Sequence, residues 1–142
     1  MEKVSDLMTA SVETCSLLDN VFEVAVKMRE HNVGCIPIVD GENLVGLMTD
    51  RDIVIRGVAE KRPPSSKVEE LMTGAIISIS PDASTEEAAK MMAKHQIRRL
   101  PVVDNGKLIG IVALGDLAID QKTDNQAKQA LTNISEQSHP LQ

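Results

Sequence analysis

The chain has 142 residues, enough for one domain or two small halves sharing a core, and a protein near this size buries roughly 68–70% of its unfolded surface. Its formal net charge is -6, and it has no Trp, no Tyr and a single Phe, Phe22, so it offers a nucleic acid neither a basic face nor aromatic stacking. No apolar signal follows Met1-Glu2-Lys3-Val4 and no run is long enough to span a bilayer, so the expectation is a cytoplasmic protein without a membrane partner.

In chain order, a helical turn at residues 5–8 leads to a brief strand at 12–15. Asn20, with Glu23 three residues later, has the spacing of a capping box and opens a helix whose apolar face is Val21, Val24, Ala25 and Met28. Strands at 36–39 and 44–48 follow, joined by the turn Asp40-Gly41-Glu42-Asn43, and a second helix runs over 50–59. Residues 60–67 are polar and stiffened by Pro63 and Pro64, hence a surface linker. The same grammar then returns. A turn at 68–72 and a strand at 76–79 precede a helix opened by Ser84 with Glu87 and faced by Thr85, Ala88, Ala89 and Met92. Strands at 100–103 and 108–112 are joined through Asn105-Gly106, and a last helix runs from Gly115 to about Gln121. From Lys122 the composition turns polar, yet Ala127, Ala130, Leu131 and Ile134 keep a helical spacing, so a short amphipathic helix is expected over about 124–135.

This return is an internal repeat. Sliding the chain by 64 positions lays Val4 to Ile53 on Val68 to Leu117 without a gap, with Leu7-Met8-Thr9 on Leu71-Met72-Thr73 and Pro37, Gly46 and Asp52 on Pro101, Gly110 and Asp116. Neither half has enough apolar face to stand alone. The fold class expected is therefore α+β, α/β-like in its strand–helix order: two β-α-β-β-α repeats packed through their sheets about a pseudo-two-fold axis. The domain division is 1–59, a linker at 60–67, 68–121, and a tail at 122–142.

Each repeat ends where a strand runs into a helix, at Gly46-Leu47-Met48-Thr49-Asp50-Arg51-Asp52 and at Gly110-Ile111-Val112-Ala113-Leu114-Gly115-Asp116. Backbone N–H groups left free at such a junction suit an anion, Thr49 can cap the helix and offer a hydroxyl, and Asp52 brings a carboxylate able to hold paired sugar hydroxyls. The structural alternative is a plain helix cap with a first-turn acid beside it. Met28 and Met92 read as core filling. Cys15 and Cys35 lack zinc spacing and a redox motif, so buried reduced thiols are expected, with a disulfide between them left open.

A β-α-β-β-α unit with Asp6-Leu7-Met8-Thr9 at its start, Ile36-Pro37-Ile38-Val39-Asp40 in its middle and Gly46-Leu47-Met48-Thr49 followed by Asp52 at its end resembles the CBS (cystathionine β-synthase) domain. The two copies, over residues 4 to 119, resemble a complete CBS-domain pair. That resemblance implies two clefts that hold adenosine nucleotides (AMP, ADP, ATP) or S-adenosylmethionine. It implies that Thr49 binds phosphate, that Asp52 binds ribose hydroxyls, and that Asp116 does the ribose work in the second site. Gly34, Cys35 and Ile36, with Arg98, Arg99 and Leu100, resemble residues lining the base and phosphate paths, and Thr14 and Ser78 resemble the edge of the base pocket. His31 and His95 match positions that in some relatives face phosphates; the alternative for both is a helix C-terminal dipole partner. Ala113 departs from the pattern, standing where the family commonly has Thr or Ser. A hydrogen bond to a charged group is worth about 1.5–3 kcal/mol, a ten- to hundredfold effect, so unequal sites are expected, with Thr49 and Asp52 in the stronger and Arg98 and Arg99 partly offsetting the loss in the other.

The function expected is a regulatory, energy-sensing module that binds an adenine nucleotide and signals through an unknown effector protein, with no required cofactor. The alternative is a ligand-free interaction or stress-response protein that uses the same fold for assembly. Catalysis is not expected, since no nucleophile–base arrangement, metal-ligand cluster or Walker-type loop is present. Family pairs commonly dimerise through helical faces, and Ile53, Val54, Ile55 and Val58 with Leu117, Ala118 and Ile119 are the candidates for a homodimer interface.

Overall fold

The computed structural model describes residues 2–74 and 76–117. Of these, residues 13–76 with 106–108 form one compact unit, and residues 2–12, 77–105 and 109–117 form the other. The units cut across the repeat. Each repeat's opening segment belongs to the unit that carries the other repeat's hairpin.

In the first-repeat unit, β1 (Cys15–Ser16) runs parallel to β2 (Cys35–Asp40), which pairs antiparallel with β3 (Asn43–Thr49). Helix α2 (Val21–His31) connects β1 to β2; the short α1 (Val4–Leu7) belongs to the other unit. The Asn20 side chain accepts the Glu23 N–H at 2.9 Å, and the helix ends on Asn32 in the left-handed region at φ 53°. Its buried face is Val21, Val24 and Met28, packed with Ile36, Ile38 and Met48 of the hairpin and with Val68 and Leu71 of α4 (Val68–Leu71). A bulge between Ile38 and Val39 shifts the β2–β3 register, because Ile38 pairs with Gly46 and Val39 with Leu44, leaving Val45 over.

The second-repeat unit repeats these devices. The Ser84 side chain accepts the Glu87 N–H at 3.1 Å to open α5 (Thr85–His95), which closes on Gln96 at φ 55°. Thr85, Ala88, Ala89 and Met92 are all buried, as their spacing requires. Strands β4 (Arg99–Asp104) and β5 (Lys107–Ala113) are hydrogen-bonded neighbours. Their turn places Asn105 at φ 51° and Gly106 at φ 82°, which the Asn-Gly pair tolerates and most residues do not. The core joins Val4, Met92, Leu100, Val102, Val112 and Leu117, with Ile79 at its edge.

The opening segments explain two glycines and the Leu-Met-Thr motif. Thr73 exchanges both backbone hydrogen bonds with Leu47, and Met72 then lies over Gly46, where its thioether fills the space a Cβ would need. Thr9 does the same with Ile111, which sets Met8 Sδ 2.7 Å and the Thr9 carbonyl oxygen 2.9 Å from where a Cβ on Gly110 would stand.

Three elements differ from expectation. The first strand is shorter and later than 12–15, because Asp19 Oδ2 takes the Ser16 N–H at 2.7 Å and turns the chain. The strand at 76–79 reduces to a parallel bridge from Ile79 to Val102, since Ser80 and Asp82 begin a turn in which Pro81 has no N–H to give. The second helix of the first repeat starts as α3 (Asp50–Asp52) but widens into a π-helix over Ile53–Val58, with the Ala59 N–H reaching back to the Val54 carbonyl. It closes where buried Gly57 lets Leu71 Cδ2 within 3.0 Å of the absent Cβ. The corresponding α6 (Leu114–Leu117) is described only to Leu117, so the remainder of that helix, Ala118, Ile119 and the tail helix lie outside the described residues.

Candidate functional site

The first-repeat junction is built where β3 meets α3. Thr49 stays extended at φ -107° and caps α3: its Oγ1 accepts the Asp52 N–H at 3.0 Å, and Asp52 Oδ2 accepts the Thr49 N–H at 2.9 Å. The two residues that sequence singles out therefore first hold each other, as a complete capping box. What is left is the Thr49 hydroxyl proton, available to donate, and Asp52 Oδ1, which faces Arg56 Nε at 3.9 Å and belongs to a side chain only 13% exposed. Arg56 is itself engaged, its Nη1 donating to the Leu71 and Met72 carbonyls at 3.2 Å where α4 ends.

The start of β2 lies against this junction. Cys35 is the cross-strand partner of Thr49, and the Asp50 N–H donates to the Gly34 carbonyl at 2.9 Å. The Asp50 carboxylate covers Gly34, with Oδ2 3.1 Å from where a Cβ would be, and its Oδ1 takes the Arg51 N–H at 2.9 Å. Thr14 is half-buried just ahead of β1, and its carbonyl accepts from Lys27 Nζ. Continuing the parallel register back by one residue sets Thr14 beside Pro37, on the other side of β2 from Thr49 and two residues from Cys35. His31 Nε2 is 3.6 Å from Glu13 Oε2, and Lys27 Nζ is 3.9 Å from the same oxygen, so this histidine, at the last turn of α2, has an acid beside it.

The second-repeat junction keeps the backbone and loses half the box. The Leu114 N–H donates to the Arg98 carbonyl at 2.8 Å, the counterpart of Asp50 and Gly34, and the Ala113 N–H donates to Asp116 Oδ2 at 2.9 Å. Ala113 has no hydroxyl to return the bond. Arg98 and Arg99 are exposed, Ser78 is half-buried ahead of Ile79, and His95 is exposed at the end of α5.

Some candidates are not available as expected. Ile36 and Leu100 are wholly buried, one in each core, and alternation along their strands turns them away from the Cys35 and Arg99 side, so their side chains have no surface to offer a ligand. Leu117 is likewise wholly buried in the second-repeat core rather than presented as an interface. Val54, Ile55 and Val58 are 55%, 50% and 70% exposed on the π-helix. Cys15 and Cys35 are not bonded to each other: Cys15 pairs with Ile38, and Cys35 lies three residues away, about 10 Å along the strand against a disulfide limit of about 7 Å between Cα atoms. Burial pushes the Cys15 thiol up to about 11.

Sequence reasoning missed the covering of Gly34 by Asp50 and the Arg56 clamp. The first was open to a comparison of positions 34 and 50 with 98 and 114, where Gly and Asp become Arg and Leu. Among the described residues, no group of three or more His, Cys, Asp or Glu is placed to hold a metal, and no helix is long and apolar enough to cross a membrane.

A family model described as CBS domain matches residues 4–57 and 68–119. The chain is 53% identical over 138 residues to protein YlbB of Bacillus subtilis, covering 96% of this chain and 93% of that one. Hypoxic Response Protein I, solved with two coordinated zinc ions, matches at 36% identity and a TM-score of 0.77, over 84% of this chain and 98% of that one. The CBS domain pair of protein MJ0100, solved with 5′-methylthioadenosine and S-adenosyl-L-methionine, matches at 30% identity and a TM-score of 0.73, over 84% and 94%.

Proposed function

The chain belongs to the CBS domain family, with two CBS domains in tandem, and on that premise we propose that it is a regulatory module that binds an adenosine-containing small molecule and passes its occupancy to another protein. The observation that carries this reading is the adenosine-ligand complex of the MJ0100 domain pair, taken together with the polar groups that this chain retains at its own junctions. Asp52 and Asp116 accept from ribose hydroxyls, the Thr49 hydroxyl donates to a polar group of the ligand, and Thr14 and Ser78 edge the base. The module performs no chemistry of its own and acts in the cytoplasm, as a homodimer joined through the π-helix face that exposes Val54, Ile55 and Val58.

Mass spectrometry of the protein purified under native conditions tests this. An adenosine-bearing adduct is expected, and it should be lost on Asp52→Asn in the full chain if that junction holds the sugar. A second reading, a ligand-free assembly protein, is favoured by one observation: Thr49 and Asp52 already satisfy each other within the capping box. A native mass without adduct, unchanged by added AMP, ATP or S-adenosylmethionine, would favour that second reading.

A further inference from the structure

The two junctions share a backbone and differ in charge. Gly34 and Asp50 make the same backbone hydrogen bond, at 2.9 Å, that Arg98 and Leu114 make at 2.8 Å. In the first junction the Asp50 carboxylate occupies the space that a side chain at position 34 would need. The Arg51 N–H fixes it there, and no cation lies within ion-pair distance of it among the described residues. Asp52 adds a second acid. Arg56 Nε stands 3.9 Å from Asp52 Oδ1 while its Nη1 holds the carbonyls that end α4, so its charge is set against Asp52 and not against Asp50. In the second junction Leu114 is turned into the core, and the position held by glycine in the first repeat carries an exposed arginine. Arg98 and Arg99 have no ion-pair partner among the described residues, and the acid of this junction, Asp116, accepts the Ala113 N–H.

We propose that the junctions divide their ligands by charge: the second-repeat junction takes a phosphate-bearing nucleotide through Arg98 and Arg99, and the first-repeat junction, walled by Asp50, takes an uncharged or cationic adenosine derivative. This rests on the reading of the chain as an adenosine-ligand module. It also reverses the order of phosphate affinities that Ala113 alone implies. A hydroxyl lost at Ala113 removes one hydrogen bond to phosphate, whereas a guanidinium supplies a charged, bidentate donor, and two stand in sequence. At the first junction the Thr49 hydroxyl is present, but the next residue, Asp50, holds its carboxylate over Gly34 with no ion-pair partner among the described residues, a like charge to a phosphate.

Calorimetry on the full chain with adenosine, AMP, ADP, ATP and S-adenosylmethionine tests the division. The wild-type chain should bind the series from adenosine to ATP with rising affinity. Arg98→Ala with Arg99→Ala should weaken ATP by about tenfold or more and adenosine by less than about twofold, and Arg98→Lys should retain part of the ATP affinity. Both arginines are exposed, so the variants should melt where the wild type does. Asp50→Asn should leave ATP at the second junction unchanged and weaken S-adenosylmethionine. Equal losses of adenosine and ATP in the arginine variants, or ATP lost through Asp50→Asn instead, would overturn the charge division while leaving the adenosine-ligand reading in place. A wild-type chain that binds none of the five removes both.

Discussion

Two glycines at equivalent positions are forbidden a side chain by different neighbours. A Cβ on Gly46 meets only the flexible Met72 side chain, whereas one on Gly110 also meets the Thr9 carbonyl oxygen at 2.9 Å, and that oxygen is tied to the Ile111 N–H. Gly110→Ala should therefore destabilise by about 1–3 kcal/mol and Gly46→Ala by less, read from urea midpoints at constant m. Equal costs would mean that the Thr9 pairing gives way as easily as a thioether. The buried Cys15 thiol supplies a second residue-scale outcome. Its pKa in the folded chain stands near 11 against an ordinary 9.0. A raised folded pKa contributes stability that is intact below the unfolded value and lost as pH rises through the folded one. Stability should be level up to about pH 9 and fall between 9 and 11, with Cys15→Ala removing that slope. Thr49 and Asp52 were legible as a pair from their spacing alone, because a capping box is a local arrangement. The Asp50–Gly34 contact joins the residue before β2 to the first residue of α3 and emerges only once the β2–β3 register is fixed.

Among the elements, α2, α5 and both hairpins follow from pattern: caps at Asn20 and Ser84, an apolar period of 3.6, and an Asn-Gly turn whose dihedrals are those the pair favours. What pattern does not reach is the widening of the second helix into a π-helix over Ile53–Val58, in which buried Gly57 lies against Leu71. Nor does it reach the bulge at Val45, which a strict two-residue alternation hides. The π-helix leaves Val54, Ile55 and Val58 uncovered along one exposed face. Val58→Asp should leave the melting temperature of the chain at low concentration within about a degree, since the residue is 70% exposed, and should abolish self-association measured by light scattering. A wild-type chain that scatters as a monomer, or a Val58→Asp chain that still scatters as a dimer, would remove this face as the interface.

Across the whole molecule, the 64-residue offset in sequence made the tandem architecture readable before any element was assigned, because a repeat fixes topology more firmly than propensity does. It did not show that Val4 to Met8 packs with the second repeat's helix and hairpin, or that Val68 to Met72 packs with the first's. That exchange is a matter of long-range burial, to which a local pattern is blind. One consequence is that neither repeat, cut at the linker, keeps the segment that covers its own glycine. Whether these junctions hold an adenosine-bearing ligand is read from thermal unfolding of the intact chain against adenosine, AMP, ADP, ATP and S-adenosylmethionine. At a hundred times its dissociation constant a ligand adds about 2.7 kcal/mol, several degrees for a domain of this size. A saturable rise is expected with at least one of them, diminished by Asp52→Asn for a ligand of the first junction and by Arg98→Ala with Arg99→Ala for one of the second, each relative to that variant's own unliganded Tm; a Tm unmoved by all five would mean that neither junction holds such a ligand.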